Sequence, residues 1–402
     1  MEQQSAGSIF DALNARFWQV YRKSSTDFFC APGRTEICGN HCDHQHGMVI
    51  AAAVDFDIVA AVAYRKDKKV HMISDGFGEV EVDFDDFLIH EEELGTAAAL
   101  IRGIAKAFKD GGFLPGGFDA IVASSVPAGS GLSSSAAFEV LVGNIFAADP
   151  EISKEGKVAD PLFIAKAGQY AENNYFGKPS GLMDQLACSF GGMIFMDLED
   201  PYEPKIEQID AKAVLEGYQI CLVNTGSSHA DLTDDYAMIP AEMAVVAEYF
   251  GKEYLREVDP EQFSERIGEL RNVVTERAVL RAMHFFDEEE RVLSCKEAIK
   301  NADTERFLDI IRRSGRSSWE LLQNVSPSDP QAGESLALAL AVSEKILNGE
   351  GAARVHGGGF AGSIQAFVPD GMVQEYCQKM DDIFGQGACS VIDISPEGGR
   401  KL

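Results

Sequence analysis

VPAGSGLSSSAAF, residues 126–138, is the most informative stretch of this 402-residue chain. Before it, Ile121–Val126 is apolar and typical of a strand. After it, Ala136–Ala148 carries apolar residues at helical spacing. The stretch therefore predicts a strand, a glycine turn and the start of a helix.

The turn itself carries groups that suit an anion. Its glycines permit backbone angles and close approaches that a Cβ would forbid, and its serines add hydroxyls at the positive end of a helix. The pattern predicts a phosphate-binding loop. The alternative is an ordinary capped helix after a tight turn. The residues concerned are Gly129, Ser130, Gly131, Ser133, Ser134 and Ser135.

The composition excludes several classes of protein. With 64 acidic and 35 basic residues the formal net charge is −29, which disfavours binding to nucleic acid or anionic lipid. No apolar run approaches the roughly 18 residues that a membrane-spanning helix needs, and the N-terminus lacks the pattern of a signal peptide. Eight cysteines without a C-x-x-C pair are typical of free thiols. We expect a cytoplasmic protein, monomer or homodimer, with no nucleic-acid or membrane partner.

The remaining segments mix strand and helix patterns without an internal repeat. Glycine turns feed the helices, which indicates an α+β fold rather than a doubly wound parallel sheet. The composition shifts at Pro201–Pro204, so we expect two domains, residues 1–203 and 204–402. In the second half, helical spacing predicts one helix over Pro260–Phe286 and another over Arg291–Lys300.

Two familiar nucleotide-binding patterns do not apply to this chain. The phosphate loop G-x-x-x-x-G-K-[ST] is absent, because Gly177 and Lys178 are followed by Pro179. A formal G-x-G-x-x-G pattern is followed by residues that alternate like a strand, so we interpret it as a glycine hairpin near a ligand or another loop. Its glycines are Gly357, Gly359 and Gly362.

The turn-rich segment Ala31–Gly47 is a second candidate site. One interpretation is a zinc site, although no second ligand pair with suitable spacing is found elsewhere. Its ligands would come from Cys38, His41, Cys42, His44 and His46. The competing interpretation is that Arg34, His41 and Asp43 hydrogen-bond a ligand with many hydroxyl groups. Taken alone, Asp184 in GLMDQ is typical of a helix cap, and Glu172 in QYAENN of a solvated helix face.

Taken together, these segments resemble the galactokinases, a branch of the GHMP family of small-molecule kinases. VPAGSGLSSSAAFEV resembles the second family motif, APGRTEICGNHCDHQHG the sugar signature, SGLMDQ the catalytic-aspartate loop and RVHGGGFAGS the C-terminal glycine motif. LVNTGSSHADLTDDY is similar to the segment that reaches the sugar through a tyrosine, here Tyr236. The resemblance runs from about Phe28 to Pro369. It implies a two-domain α+β GHMP kinase fold with the active site in the cleft between the domains.

The resemblance also implies a role for each matching residue. Asp184 would be the catalytic aspartate near the anomeric hydroxyl of the sugar, and Arg34 would hold it ionised and face the transferred phosphoryl group. Residues 129–134 would wrap the β- and γ-phosphates of ATP, while Ser135 and Glu172 would position Mg²⁺. The sugar would be contacted by Arg34, Asn40, His41, Asp43, Gly181, Asp184 and Tyr236.

The sugar signature departs from the family pattern where it would face the sugar. The segment reads GRTE where galactokinases have G-R-x-N, and Asn40 and His44 replace a glutamate and a tyrosine. Loss of the carboxylate would make that end of the pocket less negative and suit a sugar with a 6-carboxylate or an amide. In the last glycine motif, His356 stands where the family usually has threonine.

These observations lead to an expected function. We expect an ATP- and Mg²⁺-dependent sugar 1-kinase, with galactose as the first candidate substrate and galacturonate or a galactosamine derivative as the second. The hypothesis from another class is a regulator that senses sugar and ATP without transfer. The presence of Arg34, Glu172, Asp184 and the serine run favours the enzyme, because a sensor need not hold all these groups.

Overall fold

The computed structural model describes residues 6–75, 78–127, 131–151, 158–227, 232–329 and 333–402. Its helices are α1 (Ala6–Tyr21), α2 (Ala97–Asp110), α3 (Ser134–Ala147), α4 (Pro161–Ala171), α5 (Met183–Phe190), α6 (Thr233–Tyr249), α7 (Pro260–Leu270), α8 (Glu276–Lys300), α9 (Thr304–Ser317), α10 (Ser335–Leu347) and α11 (Val373–Phe384). Its strands are β1 (Asp27–Cys38), β2 (Met48–Tyr64), β3 (Lys69–Ser74), β4 (Gly78–Asp83), β5 (Phe118–Ser124), β6 (Met193–Asp197), β7 (Lys205–Ile209), β8 (Tyr218–Asn224), β9 (Ala352–Val355), β10 (Ser363–Pro369), β11 (Cys389–Ile392) and β12 (Arg400–Lys401).

The larger sheet has eight strands built around β2. Its order is β12-β1-β2-β5-β3-β4, and β6 and β7 extend it beside the first part of β2. The pairs are antiparallel except β3 with β5, which is parallel. Most of β2 is buried, which explains its near-continuous apolar sequence. This mainly antiparallel arrangement with packed helices confirms the predicted α+β class.

The smaller sheet has four antiparallel strands in the order β11-β8-β10-β9. Successive residues of β10 point to opposite faces, as the period of a strand requires. Phe367 joins the core under α9, where its ring lies 5.0 Å from that of Phe307. Ala366 and Val368 join a separate core with Met380 of α11. Helices therefore cover both faces of this sheet.

A strand precedes and a helix follows the predicted glycine turn, of which residues 128–130 lie outside the described residues. β5 ends at Ser124 and α3 begins at Ser134. α3 packs against β1, β2, α2, α4 and α5, so it is buried on nearly every side. This enclosure fixes the start of α3 close to β1 and α5, where the candidate site lies.

The helices of the second half differ from their predicted limits. The predicted helix over Pro260–Phe286 is wrong, because the chain breaks between α7 and α8. The Thr275 hydroxyl accepts a hydrogen bond from the Ala278 N–H (3.1 Å) and caps a new helix. The segment Arg291–Lys300 then continues α8 instead of forming its own helix. Of the helices in the described ranges, none combines the length and apolar composition needed to cross a bilayer.

The pairing of β7 and β12 concerns the proposed domain boundary between residues 203 and 204. β7 and β12 come after that point, yet both pair into the larger sheet. β12 lies beside β1, with Lys401 opposite Phe29 and Arg400 opposite Cys30. The smaller sheet contains only residues from 218 to 392. Residues 1–203 and 204–402 remain our proposed domains, with β7 and β12 as additions to the first sheet.

Candidate active site

Loops from both halves of the chain meet at one place. The segment after β1 is joined to the glycine loop between β9 and β10, because Asn40 Nδ2 donates to the Gly357 carbonyl (2.8 Å). On the other side, Arg34 Nη1 donates to the carbonyl of Gly131, just before α3. The sugar signature, the serine loop and the last glycine motif thus lie together, although the bonded residues are 97 and 317 positions apart in sequence.

Arg34 and Asp184 form a bidentate ion pair at the centre of this site. Arg34 Nε lies 2.6 Å from Asp184 Oδ1, and Nη2 lies 2.7 Å from Oδ2. The arginine side chain is 6% exposed and the aspartate 29%, so the guanidinium is enclosed while the carboxylate stays accessible. Ser133 Oγ donates a further hydrogen bond to Asp184 Oδ2. The pair is therefore fixed to the start of α3.

The surroundings of Asp184 keep it ionised at neutral pH. Burial alone would raise its pKa, but the charge of Arg34 and the hydrogen bonds from Ser133 and Arg34 outweigh burial and lower the pKa below its usual value. An ionised carboxylate beside a guanidinium can orient a hydroxyl group, and the guanidinium can stabilise charge on a transferred group.

Asp43 and Gly181 lie against each other beside this pair. A Cβ on residue 181 would overlap the Asp43 carboxylate, so the close approach requires glycine. Asp43 Oδ1 accepts the His44 backbone N–H at 2.9 Å. Burial, followed by the charges of Asp184 and Glu36, raises the pKa of Asp43 to about 7. Near neutral pH this carboxyl group can therefore both donate and accept hydrogen bonds.

His41 lies at the junction of the sugar signature and the glycine loop. Its Nε2 is 3.0 Å from the Gly358 carbonyl, and its Nδ1 is 3.1 Å from His44 Nε2. Burial lowers the pKa of His41 to about 4, so the ring is neutral. Since a carbonyl needs a donor, we assign the proton to Nε2, and Nδ1 then accepts from His44.

Tyr236 supports the glycine loop from the first turn of α6. Its hydroxyl donates to the Gly359 carbonyl at 2.6 Å, and its ring meets Phe360 edge-on with centroids 5.5 Å apart. A Cβ on residue 358 would collide with the tyrosine ring, which accounts for the glycine there. The predicted sugar tyrosine is therefore also a contact of the last glycine motif.

Asn40 is placed differently from its predicted role as a sugar contact. The residue is only 1% exposed. Its Nδ2 donates to Glu36 Oε2 (3.1 Å) and to the Gly357 carbonyl. Its Oδ1 accepts from Ser318 Oγ (3.2 Å) and Asn324 Nδ2 (2.9 Å). These bonds use both amide N–H groups and both lone pairs, so Asn40 fixes the loop internally instead of offering a free group to a sugar.

Glu36 places a paired carboxylate beside Asn40, and the expectation of a less negative pocket end stays a prediction. Glu36, 2% exposed, forms a buried ion pair with Arg354, and Arg354 Nη1 donates to the Ile37 carbonyl at 2.7 Å. A carboxylate therefore remains next to Asn40, four positions earlier in the sequence. Arg354 balances its charge.

The predicted phosphate loop is described from Gly131 onward, and Gly129 and Ser130 lie outside the described residues. Gly131 (φ +75°) and Ser133 (φ +53°) both adopt left-handed backbone angles. Ser134 and Ser135 then open α3 and are partly exposed. The first N–H groups of a helix have no partner within it, so this end can receive an anion.

Glu172 is buried rather than on a solvated helix face. It is 3% exposed and begins the π-helical turn Glu172–Phe176. Lys178 Nζ lies 2.9 Å from Oε1, while Oε2 accepts from Ser180 Oγ (2.6 Å) and Gln185 Nε2 (3.0 Å). The Lys178 side chain is 60% exposed, so its ammonium can leave and a cation can take its place at the carboxylate. A carboxylate oxygen is a ligand that Mg²⁺ prefers, so Glu172 has the chemistry to hold such an ion, and the participation of the Ser135 hydroxyl stays a prediction.

Two buried residues near this carboxylate were missed by the sequence reasoning. Gln185 Nε2 donates to Glu139 Oε2 (2.9 Å) as well as to Glu172. Glu139 is fully buried, and burial followed by the charge of Glu172 raises its pKa well above the usual value. The available signal was a single acidic residue within the apolar run AAFEVLV.

His356 places a donor against the phosphate loop. Its Nε2 is 3.0 Å from Thr35 Oγ1 and accepts the Glu36 N–H at 3.4 Å. Burial lowers the pKa of His356 well below its usual range, so the ring is neutral and Nδ1 carries the proton. Nδ1 has no hydrogen-bond partner in the part of the chain that is described, and it faces Gly131. In the sequence, the signal for this residue was that a histidine stands at position 356, where the family usually has threonine.

The alternative zinc site in Ala31–Gly47 is not formed. Cys38 Sγ points toward Glu288 Oε1 (3.5 Å) and Cys42 Sγ toward the Asn40 carbonyl (3.8 Å). Among the residues with described positions, which include this whole segment, its cysteines and histidines do not gather into a group that could bind a metal.

Comparison with known proteins identifies the family. Two family models match the chain, the galactokinase galactose-binding signature over residues 15–64 and the GHMP kinase N-terminal domain over residues 99–192. A galactokinase from Actinobacillus pleuropneumoniae serotype 5b (strain L20) is 31% identical over 374 residues, which cover 89% of this chain and 89% of the relative. The chain belongs to the galactokinase family.

Solved structures show that this galactokinase family member has the GHMP kinase fold. The galactokinase of Lactococcus lactis, solved with galactose, matches with a TM-score of 0.83 at 24% identity, covering 98% of this chain and 100% of the other. The mevalonate kinase of Methanococcus jannaschii matches with a TM-score of 0.62 at 15% identity, covering 95% and 98%. The fold is therefore shared beyond the galactokinases.

Proposed function

We propose that this chain is an ATP-dependent sugar 1-kinase that phosphorylates the anomeric hydroxyl of galactose. The observation that carries the proposal is the Arg34–Asp184 pair, bonded to Ser133 and Gly131 at the start of α3. Phosphoryl transfer depends on in-line positioning and charge stabilisation more than on covalent chemistry. The pair lies where the sugar signature meets the serine loop, so one site can position both substrates.

Asp184 acts on the hydroxyl group of the sugar. Its carboxylate accepts a hydrogen bond from the 1-hydroxyl and orients that oxygen toward the γ-phosphate of ATP. Because its pKa is lowered, Asp184 is a weak base, and orientation is its main contribution. The hydroxyl proton passes to the carboxylate as the new O–P bond forms.

Positive groups gather on the phosphate side of the site. Arg34 and the N–H groups at the start of α3 stabilise charge on the transferred phosphoryl group. Mg²⁺ held by Ser135 and Glu172 would neutralise charge on the β- and γ-phosphates when bound. These local groups matter because a formal net charge of −29 repels ATP from the rest of the surface.

The sugar side of the proposed site consists of Asp43, His41, Gly181 and Tyr236. Asp43 offers hydrogen bonds to neighbouring hydroxyls, and Gly181 leaves room beside it. Asn40 has its hydrogen-bonding groups engaged and so offers no free amide to a 6-carboxylate, which supports galactose over galacturonate. The eight free cysteines support a reducing compartment, and we propose that the enzyme acts in the cytoplasm.

A screen of ATP consumption over hexoses, hexuronates and hexosamines tests this proposal. We expect galactose to give the highest kcat/KM, with dependence on Mg²⁺. A higher kcat/KM for galacturonate or a galactosamine derivative would change the proposed substrate and leave the proposed reaction unchanged. If the protein binds a sugar but consumes ATP with none of the sugars tested, it is a sensor, and the proposal is overturned.

A further inference from the structure

Three cysteine thiols converge in the smaller sheet. Cys221 lies on β8, Cys389 on β11 and Cys377 on α11. All three Sγ atoms are within 4.8 Å of one another, and those of Cys377 and Cys389 are 3.2 Å apart. We call these residues the thiol triad.

The fold brings these thiols together from distant parts of the sequence. In the β8 and β11 ladder, Cys221 pairs with Val391 and Cys389 pairs with Val223. Cys221 and Val223 are two residues apart, so Cys221 and Cys389 project from the same face of the sheet. α11 packs on that face and adds Cys377.

The triad is separate from the candidate active site and has access to solvent. It belongs to the core between the smaller sheet and α10 and α11, whereas the proposed site lies at the glycine loop and the start of α3. Cys221 is buried, but Cys377 and Cys389 are half-buried. Small ions can therefore reach the triad through these two residues.

We propose that Cys221, Cys377 and Cys389 bind one thiophilic d¹⁰ metal ion, Cu(I), through three thiolates. Soft sulfur ligands favour Cu(I), whereas structural Zn²⁺ is almost always four-coordinate. Within the described residues, no fourth cysteine, histidine or carboxylate joins the group whose ligand atoms all lie within 4.8 Å of one another. The neighbouring Asp381 carboxylate accepts the backbone N–H groups of Cys389 (2.9 Å) and Gly387 (3.1 Å). Three sulfurs therefore favour Cu(I) over Zn²⁺.

The protonation chemistry of the site is simple. Each coordinated thiol loses its proton to the solvent, and the copper remains in the +1 state, so no oxidant or reductant is consumed. The bound ion would join β8, β11 and α11, and binding to the folded state alone stabilises it.

Titration of the full-length protein with Cu(I) tests the proposal. The metal is supplied anaerobically, and a chromophoric Cu(I) chelator competes for it. We expect one tightly held ion per chain, and Cys377→Ala and Cys389→Ala should each weaken binding by about tenfold or more, since even outer-shell changes cost about 10- to 100-fold in metal affinity. Cys30→Ala, which removes a buried thiol outside the triad, is the matched control and should bind like the wild type.

A measurement on the unaltered protein guards against misfolded variants. Cu(I) should protect Cys377 and Cys389 from alkylation, and X-ray absorption should show three sulfur neighbours around copper. The proposal is overturned if both thiols are alkylated equally with and without Cu(I). Affinity unchanged in the two variants, or a Cys377–Cys389 disulfide in place of metal binding, would also overturn it. These outcomes do not depend on sugar phosphorylation.

Discussion

Single residues at the site are coupled through charge. Arg34 and Asp184 are held in contact by two hydrogen bonds, and burial, followed by the charge of Asp184, raises the pKa of Asp43. One carboxylate is therefore kept ionised while its neighbour tends to stay protonated. Such divergence between adjacent acids is typical of functional sites, because each group can then take a different role toward the same ligand.

Asp184→Asn tests the role of the ionised carboxylate. The amide keeps the shape of the side chain but loses the charge that pairs with Arg34 and orients the hydroxyl, so kcat should fall about 10²- to 10⁴-fold, the usual contribution of a positioned acid–base group. Steady-state kinetics with galactose measure the change, and circular dichroism checks the fold. Asp309→Asn, at an aspartate whose side chain is 59% exposed, is the control and should keep wild-type kcat. Equal turnover in both variants would contradict the assigned role.

Asp43 should make stability depend on pH. Its pKa is 3.8 in an ordinary setting and about 7 in the folded protein, so between these values the folded state holds a proton that the unfolded state has lost. The contribution of Asp43 to stability is therefore fully present below pH 3.8 and lost as the pH rises through about 7. Urea unfolding of Asp43→Asn and the wild type from pH 5 to about 8 isolates this effect. The stability of the variant relative to the wild type should rise with pH, and a constant difference would refute the shifted pKa.

Between elements, the loop after β1 is attached to the glycine loop by buried polar groups. Glu36 pairs with Arg354 of β9, and Asn40 bonds to Gly357 and Asn324. A buried pair contributes little net stability when intact, but removal of one partner leaves an uncompensated charge. These contacts therefore fix the relative position of two loops that form the site.

An exchange of the two side chains tests this attachment. Glu36→Asn alone leaves Arg354 unpaired and should cost about 3–5 kcal/mol, the usual effect of breaking a buried pair. Asn40→Glu alone adds a second buried carboxylate and should also destabilise the protein. The double variant keeps one carboxylate near Arg354, so it should recover part of the loss. Denaturant unfolding of all four proteins measures the coupling, and strictly additive costs would contradict it.

The elements also show what the sequence could and could not reveal. β5, the glycine turn and α3 follow from local patterns, because apolar spacing and turn residues act within a few positions. The break at Thr275 was hidden because helical spacing continues across it, while the cap depends on one hydroxyl. The hydrogen-bonding role of Asn40 could not be predicted from the sequence, because its partners Ser318 and Asn324 lie far away along the chain. Of the residues implied by the family resemblance, Arg34, Ser133 and Asp184 are in contact in the structure, and the roles of the whole set remain proposals.

At the scale of the whole molecule, β12 brings residues 400 and 401 back to the larger sheet. β12 pairs with β1, the strand that carries Arg34, and the Leu402 N–H donates to the Phe28 carbonyl (2.9 Å). The last residues therefore support the edge of the larger sheet. β12, like β7, thus returns residues that follow position 204 to the larger sheet.

Removal of residues 400–402 tests the contribution of the β12–β1 pairing to stability. The truncation removes the β12 pairing and the ion pair of Lys401 with Asp27. We expect a loss of about 1–3 kcal/mol in the free energy of unfolding, since each hydrogen bond contributes about 0.5–1.5 kcal/mol net. Lys401→Ala, which keeps the backbone pairing, should lose less. Equal losses in the truncated and substituted proteins would attribute the effect to the ion pair and refute a role for the strand.

The central claim is that Arg34 and Asp184 serve transfer of phosphate to the 1-hydroxyl of galactose. Phosphorus NMR of a reaction with galactose, ATP and Mg²⁺ tests it most directly, because it identifies the product as well as the consumption of ATP. We predict that the wild type forms galactose 1-phosphate and ADP in equal amounts, and that Asp184→Asn forms almost none. Phosphate on another hydroxyl, free phosphate alone, or equal product from the variant would contradict the account.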